Sequence, residues 1–478
     1  MSILPETIPL NCIDRVFLIP ETEDIHGSYF PVTIGRLTYF KSQITKQQLL
    51  DALVHLDDHF PQLRVRYRVN VETLKFEKVP DAERLSYFES LIEEVEGDDD
   101  PDDVMADLIS YNTMPLGSLY NFRFRNNEFY LKIHHVAGDG RLLESFQQAM
   151  MYAIFMPEKL DSLPYADKKF WIPLYKVIWS NPLMGMAVMA RFALMATTRA
   201  AKLLYRRVSG ASSKTKNTPQ ETFPVTSRSK MGFATAIIPP EQMNRVKKLR
   251  REVVAGEKIS LNNLLNVELA LRLKKMGYLG QRVTYTIPVD VRRYMPKDSN
   301  FYPSNLASQI RVTTDSSDIG EICRQITSET TRAFYSFAPL TGIPWEWLTG
   351  LLPRKMYDRM HRHHRMNAVA DPERFFILSN MGSVDRIHGD YKEFIHPNQH
   401  GTLAATDTAL LIIFATIYGQ GSWTASYDPR RISKEEVLEL LDFNTQPFLV
   451  LQENEKENKA TVEKIDAQAF QNNKVHSL

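Results

Sequence analysis

Hydrophobic positions change period along this chain, and the changes predict its elements. Leu49, Leu53 and Leu56 recur at helical spacing behind Thr45, which forms a capping-box pattern with Gln48. That helix is expected to stop at His59-Phe60, because Pro61 disfavours helical geometry in the residue before it. Residues 62–68 then alternate apolar and polar, as a half-exposed strand does. Phe122, Phe124, Phe129, Leu131 and Ile133 alternate on either side of Asn126-Asn127, which predicts a hairpin whose second strand runs straight into His134-His135. Leu143, Phe146, Met150 and Ile154 place one apolar face on a helix over 141–155. Further on, strands are predicted at 233–238, 283–289, 375–378 and 410–418, and helices at 240–251 and 261–276. The mixture is that of an α/β chain with mixed sheets.

Length divides this pattern. At 478 residues the chain exceeds one simple core. The Ser-, Thr-, Lys- and Pro-rich stretch 209–228 reads as a mobile linker. We expect an N-terminal lobe over 1–205, a linker over 206–228, a C-terminal lobe over 229–452 and a polar tail over 453–478.

Charge removes one class of function. Lys and Arg number 58 against 57 Asp and Glu, which gives no reason to expect nucleic acid as a partner. The two cysteines, Cys12 and Cys323, make neither a disulfide framework nor a Cys-rich metal site. Residues 1–10 lack the basic and apolar regions of a secretory signal, so the cytoplasm is the simplest compartment. The acidic run 93–103 reads as a solvated loop. Residues 171–205 are apolar, aromatic and basic, but no uncharged run reaches the roughly 18 residues of a membrane span. Two readings stay open for this stretch: a helix pair packed on its own protein, or a peripheral membrane surface anchored by Trp171 and Trp179 with Lys and Arg near lipid headgroups.

The candidate chemistry lies in His134-His135-Val136-Ala137-Gly138-Asp139-Gly140. A neutral imidazole at the end of a strand can take a proton from a hydroxyl, amine or thiol. A satisfied core histidine is the plain alternative. Asp139 is suited to pair with an arginine and hold the loop, and Gly140 to allow close approach of substrate or backbone. The cluster His361, His363 and His364 sits among Arg359, Arg362 and Arg365, whose charges oppose a metal cation. Neither the H-E-x-x-H zinc signature nor the G-x-S-x-G nucleophile elbow is present.

These seven residues match H-H-x-x-x-D-G in full, and the chain resembles the coenzyme A-dependent acyltransferase superfamily with the chloramphenicol acetyltransferase-like fold. The resemblance continues through His59-Phe60-Pro61-Gln62-Leu63-Arg64 and Met114-Pro115-Leu116, then Pro288-Val289-Asp290-Val291-Arg292-Arg293 and Ser304-Asn305. Ser379-Asn380-Met381-Gly382 and the stretch from Gly419 to Asp428 complete the order. Asp14 in its apolar segment and the basic middle look like wax ester synthase/diacylglycerol acyltransferase and alcohol acyltransferases. The paired histidines look equally like condensation domains of nonribosomal peptide synthetases. Ser379-Asn380-Met381-Gly382 departs from the Asn-rich or proline-containing pattern of many wax ester synthases.

The resemblance implies two lobes forming a pseudo-dimer around a central tunnel. It makes His135 the general base, with His134 positioning it and Asp139 pairing with Arg292. Asn305, Ser379 and Asn380 become candidates for polar contacts to the donor or the developing oxyanion. It implies no bound cofactor and a monomer that takes acyl-CoA, or an acyl-carrier protein acting in trans, as donor. The expected reaction is O-acyl transfer to an alcohol or lipid-like acceptor. Amide formation from a carrier-bound acyl group and noncatalytic acyl binding are the alternatives.

Overall fold

The computed structural model describes residues 5–10, 14, 15, 17, 18, 32–110, 117–163, 178, 179, 181–208, 231–251, 259–295, 305–349, 351–353, 355–357, 360, 375–385, 389–396, 401–404, 408–443 and 449. The tail expected at 453–478 and the linker expected at 206–228, save residues 206–208 at the end of a helix, lie outside them, together with Trp171, Cys12 and the 361–364 histidines.

Strands β1 (Thr7–Pro9), β2 (Thr33–Tyr39), β3 (Tyr67–Asn70), β4 (Lys75–Lys78), β5 (Ile92–Glu94), β6 (Tyr120–Arg125) and β7 (Glu128–His134) lie in the first half of the chain. The same half contributes helices α1 (Lys46–His59), α2 (Arg84–Ser90), α3 (Pro101–Ser110), α4 (Gly140–Phe155) and α5 (Pro182–Val208). The second half contributes β8 (Gly232–Ile238), β9 (Val283–Asp290), β10 (Ala307–Thr314), β11 (Phe376–Ser383), β12 (Gly401–Ala404), β13 (Leu410–Ile417) and β14 (Gln420–Tyr427). Its helices are α6 (Pro240–Leu249), α7 (Leu261–Lys275), α8 (Ile319–Tyr335), α9 (Gly342–Thr349) and α10 (Lys434–Leu441). The mixed α/β expectation holds.

The local signals act as the sequence predicts. Thr45 and Gln48 close a reciprocal capping box on α1. Asn126 turns the β6–β7 hairpin at φ 52°. Residues 62–68 do not form one strand: Pro61–Leu63 is a 3-10 turn, Arg64 adopts a left-handed φ of 57°, and β3 begins only at Tyr67. The acidic run is not wholly loop either, because Asp102 and Asp103 occupy the first turn of α3, where carboxylates meet the positive helix end.

The first large sheet has the order β12-β2-β7-β6-β5, and a second runs β11-β13-β14-β8. Each is mixed, with β5–β6 and β11–β13 the parallel pairs. In the first sheet, Phe129, Leu131 and Ile133 pack with residues of α1 and α4 in one core cluster. Tyr130 and Leu37 pack with α3 in another. This sandwiching buries β7 on both faces and leaves only its end free to carry chemistry. Arg36 of β2 forms a buried ion pair with Glu144 of α4, and Gln147 accepts a further hydrogen bond from Arg36. The second sheet has its own core with α6, α7, α8 and α10.

One strand crosses between the halves. β12 pairs antiparallel with β2, although it follows β11 in the chain. The segment leading to it is tied down as well: Phe394 stacks on Phe155 at 4.5 Å, and Tyr391 and Ile395 are buried in the N-terminal core.

Candidate active site

β7 delivers His134 opposite Thr33 of β2, and the next residue begins a turn closed by Ala137 N–H donating to the His134 carbonyl at 2.9 Å. His134 is buried, and its Nδ1 accepts from the Val136 N–H at 3.1 Å, so this imidazole serves its own loop. Arg64 reaches the turn from outside and donates to the Ala137 carbonyl, while its guanidinium lies 4.5 Å from the Phe76 ring centroid. The left-handed backbone at Arg64 caps the 3-10 turn, its N–H donating to the Pro61 carbonyl.

Asp139 ends the loop as the N-cap of α4, accepting from Arg141 N–H at 3.0 Å through Oδ1. Its Oδ2 accepts from Arg292 Nη1 and from the Leu306 N–H, each at 2.8 Å. Burial opposes ionisation of Asp139, but the Arg292 charge and these hydrogen bonds outweigh it and hold the carboxyl below the usual range. Arg292 is also bonded to Asp290, which takes a salt bridge from Arg141 at 3.2 Å. The loop is thus stapled to the second half of the chain by paired charges.

His135 points a different way. Its ring stacks on Phe17 with centroids 4.0 Å apart and 11° between planes. Its Nδ1 lies 2.8 Å from Asn305 Oδ1. Asn305 Nδ2 donates to Asp14 Oδ1 at 3.0 Å and to the His135 carbonyl at 2.6 Å. A carbonyl cannot donate, so the nitrogen of the Asn305 amide must face it and the oxygen must face His135. Nδ1 therefore carries the hydrogen, and Nε2 keeps a lone pair. Burial lowers the His135 pKa and Asp139 only partly offsets this, so the ring is neutral near pH 7.

His134, His135, Asp139, Gly140, Arg292 and Asn305 are thus brought together from distant parts of the chain. Both amide hydrogens of Asn305 are engaged, which leaves this side chain no donor for a substrate. A Cβ at Gly140 would sit 3.0 Å from Met381 Cε, so the glycine admits the methionine of β11. Ser379 and Asn380 precede Met381 on the same strand. Ser379 is in register with Ile413, and Asn380 Oδ1 accepts from the Gly382 N–H at 2.8 Å, shaping a bulge. Three residues at the site were not singled out from sequence: Phe17, Arg64 and Asp14, the last two quoted only as marks of resemblance. The adjacent charges Asp14 and Arg15 inside the mostly apolar stretch from Leu10 to Leu18 are the available signal for Asp14. Among the described residues no group of His, Cys, Asp and Glu is arranged to hold a metal ion.

No family model and no curated protein matches this sequence. Solved structures do match its fold. Trichothecene 15-O-acetyltransferase from Fusarium sporotrichioides superposes with a TM-score of 0.60 at 11% identity, covering 91% of this chain and 94% of its own. The first condensation domain of the CDA synthetase gives 0.54 at 11% identity, covering 92% and 94%. Polyketide synthase associated protein 5 from Mycobacterium tuberculosis gives 0.53 at 13% identity, covering 90% and 96%. The chain has the two-lobed fold that acyltransferases and condensation domains share.

Proposed function

We propose that this protein transfers an acyl group from an acyl thioester, acyl-CoA by preference, to the hydroxyl of an alcohol or lipid-like acceptor. The observation that carries the reading is the orientation of the Asn305 amide, its nitrogen on the His135 carbonyl and its oxygen on Nδ1: with Nδ1–H donating to it, Nε2 is the atom able to accept a proton. Nε2 takes the acceptor hydroxyl proton as its oxygen attacks the thioester carbonyl. The tetrahedral oxyanion then collapses, the C–S bond breaks, and the thiolate leaves with the proton from the imidazolium. Ester and free thiol are the products. Holding donor and acceptor together in a tunnel between the two lobes would contribute much of the rate through orientation.

In this reading His134 and Arg64 shape the loop, Asp139 and Arg292 lock it, and Asn305 with Asp14 positions the base. Ser379 and Asn380, next to Met381 at the loop, are the candidates for donor contact. The protein works as a monomer that binds no resident cofactor and is peripheral rather than membrane-spanning.

The test is free-thiol release from acyl-CoA with a panel of alcohols and amines. Release with alcohols that is abolished in a folded His135→Ala variant is the expected result; undiminished release in that variant would sink the mechanism. Release only from an acylated carrier protein with an amine would move the assignment to a condensation enzyme.

A further inference from the structure

Helix α5 is rooted at one end, and the described side chains on its outer face beyond that root are exposed. Met184 and Val188 are buried in a cluster with Val291 and Leu306, the neighbours of Arg292 and Asn305, and with Leu340 and Ile343. Trp179 lies against the same end, where a Cβ at Gly185 would sit 2.5 Å from its ring. The outer face is apolar as well: Leu183, Met186, Ala190, Leu194, Ala201 and Leu204 recur at helical spacing. Leu183, Leu194 and Leu204 are 72%, 68% and 64% exposed, and Tyr205 beside them is 73% exposed. At 1.5 Å per residue the stripe from Leu183 to Leu204 runs for about 32 Å, longer than an isolated exposed leucine would explain.

Charge decides what covers it. Within α5 itself the sequence has five Lys or Arg and no Asp or Glu. A second copy of the same helix would meet like charge, whereas an anionic bilayer surface complements it. No helix among the described residues is long and apolar enough to cross a membrane, so the contact is one of lying on the surface.

We infer that α5 docks the protein in the plane of an anionic membrane, its outer face sunk into the headgroup and acyl boundary. Because the root of the helix packs on the neighbours of Arg292 and Asn305, docking holds the site at the lipid surface. Resting on the proposed acyl transfer, this makes the acceptor or product a lipid-dissolved molecule that exchanges with the bilayer.

Flotation with phosphatidylcholine vesicles containing roughly a quarter phosphatidylglycerol tests the contact, with pure phosphatidylcholine as the control. The full-length protein should float with the anionic vesicles and be released by high salt. The double variant L194E/L204E, changed only at exposed positions, should lose about tenfold or more of this binding. It should keep its thiol release with a water-soluble alcohol and lose it with a vesicle-borne one. Equal flotation by the variant overturns the inference, and so does a wild-type protein that stays at the bottom or forms a dimer dissociated by L194E/L204E. Flotation is read without turnover, so a protein that floats but releases no thiol would refute the acyl-transfer reading and leave the docking intact.

Discussion

The amide oxygen of Asn305 faces Nδ1 of His135 at 2.8 Å, and its nitrogen is turned to the His135 carbonyl and to Asp14. One side chain thereby fixes which imidazole nitrogen is basic. Asn305→Asp would replace a neutral acceptor by a carboxylate, which stabilises the imidazolium. The pH–kcat profile should respond. On the proposed mechanism the wild-type base is active when deprotonated, and its lowered pKa puts the acid limb below about 6.5. In the variant that limb should move upward, with kcat at neutral pH down roughly 10–100-fold. An unmoved limb would assign Asn305 a merely structural role.

Asp139 supplies a second pH signature, read in stability. Its carboxyl is held below the usual range, so the stability it contributes is fully present above the unfolded value of about 3.9. That contribution is lost as pH falls through the lower folded value. Asp139→Asn should weaken the protein by about 3–5 kcal/mol at neutral pH, because the buried Arg292 guanidinium loses the buried carboxylate that neutralises it. It should also flatten part of the acid limb of stability. Denaturant unfolding across pH measures both.

The two glycines of the loop should differ. A Cβ at Gly138 would meet three atoms of Leu142, the nearest at 2.7 Å, on a side chain buried in the core. At Gly140 the neighbour is the flexible end of Met381, at 3.0 Å. Gly138→Ala is therefore expected to lower stability by about 1–3 kcal/mol, and Gly140→Ala by clearly less. Thermal melts of the two variants rank them.

Phe17 should tune the base from above. Phe17→Ala removes the ring stacked on His135 and admits water, which relieves the desolvation that lowers the imidazole pKa. The acid limb of kcat is expected to rise toward pH 6.5 while the thermal midpoint changes little. A profile that stays in place would show that the stack contributes shape alone.

What was legible in the sequence was local. The α1 capping box, the Asn126 hairpin and α4 each depend on residues a few positions apart, and each is where the pattern puts it. The paired histidines could be placed at a strand end for the same reason. The expected strand is interrupted by the 3-10 turn at Pro61–Leu63 and its left-handed cap at Arg64, backbone geometry that alternation of apolar and polar residues does not encode. Asp14 and Asn305 stand 291 residues apart, and no spacing rule joins them. The stretch Gly419 to Asp428 is legible as a motif, yet its place as β14, the link between β13 and β8, comes from sheet pairing.

The crossing of β12 governs how the molecule can be taken apart. Cut between its halves, the N-terminal piece would expose the bare edge of β2, an invitation to pair with other chains, and would lose Tyr391 and Ile395 from its core. A chimaera that exchanges halves with another protein of this fold must therefore move residues 389–404 together with the N-terminal piece. Recombination has to follow the sheets rather than the order of the chain.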